Sequence, residues 1–386
     1  MKVSHIIKSP SYDSDGRLQK WIRGFSKVNI KSNVYIIEDS NTKSIEKLGD
    51  TILVKDNLWF RNFFKQRKGY LFKSLEYMVK VKRFISKYKS DIIVFHDVQQ
   101  YLNLLVYCLF FKTKKCFVIW DLHELPHSFI FRTMFTKKLL KYVLESVDLV
   151  IYTNDERKEY LRSKLNYSEK DFKVLNNYPD LDFLEEKKNS FPIELFGLRK
   201  NIPYILWLGG ALKGRNFGFF IEAYRKVSDR YNLVVLGKVE KEFNNLIEEG
   251  IQSKKIYNSF VKQEELIKFI DNACFSVVLY NDRKPNSFYC EPNRLYQLIY
   301  RKVPVIVGNN PTMKNIVEKL DVGLVLSDDG SSIENIVELM NDINTDKLKE
   351  NLENLEIKDV FSWEKQFNEI LRSIYNNENI INSSVL

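Results

Sequence analysis

The sequence predicts an α/β protein built as two Rossmann-like domains. Short β-branched and aromatic runs alternate with longer stretches of helical periodicity, the pattern of parallel strands joined by helices. The alternation occurs twice, on either side of a charged, proline-punctuated connection at 181–201. The chain has 386 residues, the length of two domains at about 100–200 residues each.

In the first half, residues 3–7, 34–37, 51–54, 91–95, 116–120 and 149–152 read as strands, with 173–175 as a short later one. Ligands of such open sheets bind beyond the carboxyl ends of the strands. The turns at 9–16, 96–100, 121–127 and 153–156 therefore carry most weight. After the connection, residues 204–208, 233–236, 256–258, 275–279, 303–307 and 323–326 repeat the strand pattern. This divides the chain into a first domain at 1–180, a linker at 181–201 and a second domain at 202–362. A segment at 363–386 follows, whose helical pattern at 363–375 is expected to cross back to the first domain, with a polar tail beyond it.

Hydrophobic residues make up 44% and charged residues 28% of the chain, with no low-complexity tract, as in ordinary globular proteins. No run reaches the roughly 18–20 apolar residues of a spanning helix. The longest candidates, 101–111 and 117–120, are separated by Lys112, Lys114 and Lys115. The start lacks the long apolar core of a secretory leader, so a cytoplasmic protein is expected. The four cysteines, Cys108, Cys116, Cys274 and Cys290, show neither metal-ligand spacing nor a disulfide framework, and no metal site is expected.

The net charge of +10 is concentrated. Arg61, Lys65, Arg67, Lys68, Lys73, Lys80, Lys82, Arg83, Lys87 and Lys89 face a single acid, Glu76, and are interleaved with Trp59, Phe60, Phe63, Phe64, Tyr70 and Phe72. A basic, aromatic stretch at 59–89 suits peripheral contact with an anionic membrane; a solvated helix face is the plain alternative. Nucleic acid is not expected, because no recognition helix or ribonucleoprotein strand motif accompanies the charge.

Two turns of the second half carry ligand chemistry. At 207–216, WLGGALKGRN, an apolar strand runs into Gly209 and Gly210 and then Lys213, Gly214 and Arg215. Glycines admit close backbone approach, the following helix offers free amides, and two cations supply charge for a diphosphate. The glycine spacing departs from the dinucleotide fingerprint, which argues against a nicotinamide cofactor. At 291–301, Glu291 and Pro292 open a helix in which Asn293, Arg294 and Gln297 would surround a ligand at its amino end.

The order of these features resembles the glycosyltransferases of family 4. PNRLYQLIYRKVPVI resembles that family's Pro-Asn-Lys-Leu-aromatic-Glu helix and Pro-Val-Ile strand. WDLHEL, VDLVIYTNDERKEYL, NNYPD and FSWEKQ resemble its strand-end, serine-turn, asparagine-loop and crossing-helix segments. The resemblance implies the GT-B architecture, two facing Rossmann-like domains with the acceptor in the first and the nucleotide sugar in the second. It implies a hexosyltransferase-type enzyme that moves sugar from a nucleotide sugar, UDP-linked rather than GDP-linked, to a lipid-linked or oligosaccharide acceptor in bacterial surface polysaccharide synthesis. Location would be cytoplasmic, peripheral on the inner face of the plasma membrane.

It further implies transfer with retention of configuration, without a metal or other cofactor, the nucleotide sugar being a co-substrate. His123, Glu124 and Lys213 would be catalytic. Gly209, Gly210, Lys213, Arg215, Tyr289, Glu291, Asn293, Arg294 and Gln297 would bind the donor, and Gly16, His96, Asp97 and Asp121 would lie on the acceptor side. The family's paired glutamates fall, in register, at Tyr289 and Gln297, so neither acid is present. That departure keeps a degenerate accessory protein as an alternative, and a sugar-nucleotide epimerase is another that shares the architecture.

Overall fold

The structure, a computed structural model, describes residues 1–64, 68–167, 172–179, 196–262 and 265–377. Residues 180–195 of the expected boundary and linker, 378–386 of the expected tail, and Lys65 and Arg67 of the basic stretch lie outside the described residues. Contacts divide the chain into two compact units, Met1–Asn176 with the helix Trp363–Tyr375, and Asn177–Ser362.

The first unit holds a sheet of β1 (Lys2–Lys8), β2 (Lys31–Ile37), β3 (Ser44–Leu48), β4 (Thr51–Asp56), β5 (Ile92–His96), β6 (Phe117–Leu122), β7 (Leu149–Tyr152) and β8 (Phe172–Val174). Its order is β3-β4-β2-β1-β5-β6-β7-β8. Pairing is parallel throughout except between β3 and β4. The chain runs outward from β1 in one direction and resumes with β5 on the other side, so the switch point lies between β1 and β5. β3 was absent from the sequence expectation for a physical reason. SIEKL is an exposed antiparallel edge, with Ile45 and Leu48 both in solvent, and an edge strand carries no buried alternation to read.

The strand cores coincide with the expected runs, but β5 and β6 extend further. His96 and Asp121 are strand residues that pair in register, not members of the following turns. The helix Trp363–Tyr375 belongs to the first unit, as the crossing-helix expectation requires. Phe367 packs edge-on against Trp21 and Phe25, each with ring centroids 5.3 Å apart. A side chain at Gly24 would place its Cβ 2.5 Å from the Phe367 ring, so that glycine permits the approach. Gln366 Oε1 accepts the Asn176 amide at 2.9 Å, and Lys27 lies 3.8 Å from Glu364.

The second unit holds six parallel strands, β9 (Tyr204–Leu208), β10 (Asn232–Leu236), β11 (Ile256–Ser259), β12 (Phe275–Val278), β13 (Val305–Val307) and β14 (Gly323–Val325). Their order is β11-β10-β9-β12-β13-β14, which puts the switch point between β9 and β12. Buried aromatics anchor the adjoining helix Phe217–Val227: Trp207 lies 5.0 Å from Phe217 and 4.7 Å from Phe220 between ring centroids. Residues 196–201 are built into this unit. Arg199 donates to Asn232 Oδ1 and to the Ser228 and Tyr231 carbonyls, and Leu198 is buried.

Candidate functional site

At the carboxyl ends of the second unit's strands lies a cavity of about 680 Å³. The residues after β9 and β10 run side by side to form its floor. The Gly209 amide donates to the Leu236 carbonyl at 2.7 Å, the Ala211 amide to the Lys238 carbonyl at 2.9 Å, and Ala211 bridges Val239 in parallel. Gly209 and Gly237 make this closeness feasible. A Cβ at Gly237 would fall 2.4 Å from the Gly209 carbonyl carbon, and one at Gly209 would fall 2.5 Å from Arg215 Nη1, both at positive φ.

The opposite wall is the start of the helix Asn293–Tyr300. Pro292 holds the cap position without a side-chain hydrogen bond; the Leu295 amide goes to the Pro292 carbonyl at 2.9 Å, which leaves the Asn293 and Arg294 amides of the first turn for a ligand. Asn293 and Gln297 line the cavity from this helix, and Glu291 from the residue before its cap. Glu291 is buried and accepts the Tyr296 hydroxyl at 2.5 Å.

Arg294 also lines the cavity, but its head group is committed to the backbone. Nη1 donates to the Leu208 carbonyl at 2.6 Å and Nη2 to the Leu279 carbonyl at 3.2 Å, fastening the ends of β9 and β12 at the switch point. The guanidinium also lies over Tyr280 and Trp207, at 4.9 and 5.5 Å. Burial lowers its pKa to about 10, which leaves it charged at neutral pH.

Of the residues expected to bind a donor, the structure brings Gly209, Gly210, Arg215, Glu291, Asn293, Arg294 and Gln297 to this cavity. Lys213 is exposed on the short turn Lys213–Arg215, outside the lining, where Glu240 accepts its backbone amide at 2.7 Å. Tyr289 is likewise outside the lining. Lys238, Phe260 and Tyr280 line the cavity and were not anticipated. The signal for Lys238 was legible: a strand ending in Leu236, then Gly237 and a cation, repeats in brief the glycine-and-cation turn after β9.

In the first unit, a chain of buried polar groups runs from His5 in the middle of β1 to the carboxyl ends of β5 and β6. His5 Nδ1 lies 2.9 Å from His96 Nε2, and His96 Nδ1 lies 3.0 Å from Asp121 Oδ2. Arg17 donates from Nε and Nη2 to the two Asp121 oxygens at 2.9 and 2.6 Å. In the tautomer of His96 that donates from Nδ1 to the carboxylate, its Nε2 accepts the Nδ1 proton of His5. Burial favours the uncharged carboxyl of Asp121, but Arg17 and the His96 hydrogen bond outweigh it and hold the group well below the usual carboxylate range. His5 is pushed well below the usual histidine range, by burial first and then by His96.

His123 stands at the mouth of this chain, about a quarter exposed. Its Nε2 lies 3.8 Å from Asp97 Oδ1 and its Nδ1 3.9 Å from Asp121 Oδ2. Arg157 holds the backbone here by donating to the His123 carbonyl. Asp97 adopts φ 69° and ψ 166°, a conformation that strains any residue with a side chain, and its buried Oδ1 has no hydrogen-bond partner among the described residues. Glu124 is exposed beside them, and Gly16, also exposed, starts the helix that carries Arg17. The structure therefore gathers His96, Asp97, Asp121 and His123 into one cluster and adds His5 and Arg17.

Comparison with known proteins bears on this architecture. No family model matches the chain. The sequence is 22% identical over 221 residues to an uncharacterised glycosyltransferase of Methanocaldococcus jannaschii, covering 53% of each chain. The chain thus spans about half the length of that curated relative. Among solved structures, sucrose-phosphate synthase from Thermosynechococcus elongatus superposes with a TM-score of 0.73 at 13% identity, over 97% of this chain and 99% of that one. The chain has the GT-B fold. A trehalose-6-phosphate protein from E. coli, bound with UDP-2-fluoro glucose, gives a TM-score of 0.65 at 9% identity over 98% of this chain and 96% of that one. Within the GT-B fold, the second unit's cavity occupies the switch point of its sheet, and the first unit's cluster lies at the carboxyl ends of the strands next to its own.

Proposed function

We propose that the chain is a glycosyltransferase whose second unit binds a nucleotide sugar in the cavity at the β9/β12 switch point. The observation that carries this is the convergence there of the uncapped start of helix Asn293–Tyr300, Arg215, Lys238 and two close glycine turns. A diphosphate fits that set: helix amides and cations meet its charge, and the glycines give it room. The exposed ring of Phe260 offers a stacking face for the base, and Gln297 offers an amide to ribose hydroxyls. UDP-sugars are favoured over GDP-sugars, in keeping with the UDP-sugar in the E. coli structure.

In the proposed reaction the bond from the anomeric carbon to the diphosphate breaks with its electron pair going to the diphosphate. The acceptor oxygen bonds to the same carbon with retention of configuration. Arg215, Lys238 and the helix amides stabilise the leaving charge, with Lys213 contributing from outside the cavity lining and no metal required. His123, set between Asp97 and Asp121, is assigned the acceptor hydroxyl proton, and Glu124 a positioning role.

The acceptor is proposed to be lipid-linked, in synthesis of a bacterial capsule or lipopolysaccharide, with the protein held peripherally on the inner face of the plasma membrane. The supporting feature is a collar of exposed rings. Trp59, Phe63, Tyr70, Leu71 and Phe72 are each at least half exposed; the last three open the basic helix Tyr70–Tyr88 and the first two precede it. Lys80 has other work, donating to Asp56 at 3.1 Å and to the Asn57 carbonyl at 2.6 Å. One observation favours a second reading, a catalytically degenerate accessory protein: Gln297 puts a neutral amide in the cavity where the family resemblance implies a carboxylate. Nucleotide release from UDP- and GDP-sugars with lipid-linked acceptors separates the two. Turnover supports the transferase; binding of a partner transferase with no release supports the accessory protein.

A further inference from the structure

Two guanidinium groups meet at the second unit's cavity and share one aromatic ring as a neighbour. Arg215 comes from the turn after β9 and Arg294 from the helix Asn293–Tyr300. A Cβ at Gly209 would stand 2.5 Å from Arg215 Nη1 and 3.5 Å from Arg294 Nη1, so the two groups flank one point of the backbone. Both also lie over the ring of Tyr280, Arg294 at 4.9 Å and Arg215 at 5.4 Å from its centroid. Tyr280 follows the end of β12, is half-buried, and lines the same cavity.

The two arginines are held in different ways. Arg294 is buried and spends its fork on the Leu208 and Leu279 carbonyls. Arg215 is half-buried, and its guanidinium makes one long contact, from Nη1 to the Gly210 carbonyl at 3.4 Å. It pairs with no carboxylate among the described residues. Like charges this close repel each other: burial is the main cause that lowers the Arg294 pKa, Tyr280 opposes the lowering, and Arg215 adds to it. Of the two, only Arg215 is able to swing away, because its side chain is long and borders the open cavity. A π face attracts a guanidinium within about 6 Å of the ring centroid, and the Tyr280 ring lies inside that reach of both.

We propose that Tyr280 is a positioning residue for the donor: its ring holds the Arg215 guanidinium in the cavity beside Arg294, against their mutual repulsion, so that Arg215 already faces the diphosphate when the nucleotide sugar arrives. This rests on the nucleotide-sugar reading of the cavity and deepens it, since it names the residue that acts through Arg215. A cation held in place beforehand binds its anion without the cost of being ordered. A ring contact of this kind at a half-buried site is worth about fivefold in affinity. The face of the ring carries the effect, so phenylalanine serves in place of tyrosine and an aliphatic side chain does not.

The test is calorimetric titration of the full chain with UDP. Tyr280→Leu is expected to weaken binding about fivefold and Tyr280→Phe to leave it unchanged. In a chain that already carries Arg215→Ala, Tyr280→Leu should add no further loss, because the ring then has nothing to hold. Tyr280→Met also lacks the ring and should match Tyr280→Leu; it takes its place if thermal unfolding shows that leucine disturbs the fold. Equal affinity in the unaltered chain and the ring-less variants overturns the proposal. So does a loss in Tyr280→Phe as large as in Tyr280→Leu, or a loss in Tyr280→Leu that persists undiminished without Arg215. The two ideas stay apart: no UDP binding by the unaltered chain strikes the donor reading itself, whereas UDP binding that is indifferent to the ring strikes this proposal alone.

Discussion

Arg294 Nη1 donates to the Leu208 carbonyl at 2.6 Å while its Nη2 reaches the Leu279 carbonyl, so one buried side chain ties together the two strands between which the second unit's topology reverses. Lysine keeps the charge but lacks the fork that serves both carbonyls. Arg294→Lys is therefore expected to destabilise the second unit by about 2–4 kcal/mol, the usual range for breaking a buried charged network. Denaturant unfolding followed on the second unit should show a lowered midpoint; an unchanged midpoint would mean the fork does no structural work.

The cations of the cavity differ in placement, which orders their expected effects. Arg215 and Lys238 line it and Lys213 does not. Arg215→Ala and Lys238→Ala should each weaken UDP binding about tenfold, the loss of one charge-assisted hydrogen bond, with Lys213→Ala weakening it less. Calorimetric titration with UDP checks the order, and an effect of Lys213→Ala larger than the other two would reverse it.

Two glycines in neighbouring turns should respond differently. At Gly237 a Cβ would meet the Gly209 backbone at 2.4 Å, whereas at Gly214 the nearest atom lies 3.9 Å away. Gly237→Ala is expected to destabilise the second unit by about 1–3 kcal/mol, as overpacking does, and to weaken nucleotide binding. Gly214→Ala should leave both unchanged. Thermal unfolding of the pair is decisive, because equal behaviour would contradict the close pairing of the two turns.

The strand cores of both sheets were legible because parallel strands buried on both faces are written as continuous apolar runs, as YILWL at β9 shows. The edge strand Ser44–Leu48 was not, since exposed Ile45 and Leu48 carry no such signal. In the site, the glycine turn and the helix after Pro292 were legible from local chemistry, and the structure brings Gly209, Arg215, Asn293 and Gln297 together. The glycine-and-cation turn at Lys238 carries its own local signal, but its place beside Gly209 and Arg215 depends on β10 lying next to β9, which one segment cannot announce. The same holds for Arg17, whose partner Asp121 is 104 positions away.

The buried chain at His5, His96 and Asp121 predicts a two-stage response to acid. His5 has a lowered folded pKa, so the unfolded state binds its proton first. Stability contributed by keeping it neutral is complete above about pH 6.5 and is lost as pH falls below that, at up to ~1.4 kcal/mol per pH unit. Asp121 has a depressed folded pKa, so its contribution is complete above about pH 4 and is lost only below it. Unfolding midpoints measured from pH 8 to 4 should fall below about pH 6.5, and His5→Phe should flatten that part of the profile; an unaltered slope in the variant would remove His5 from the effect.

The most direct measurement is calorimetric titration of the full chain with UDP and with UDP-sugars, repeated on the Arg215→Ala, Lys238→Ala double variant. One nucleotide per chain should bind, with affinity falling about a hundredfold in the double variant if the two contacts act independently. No binding of any UDP or GDP compound, or equal affinity in the double variant, would contradict the assignment of the β9/β12 cavity to a nucleotide sugar.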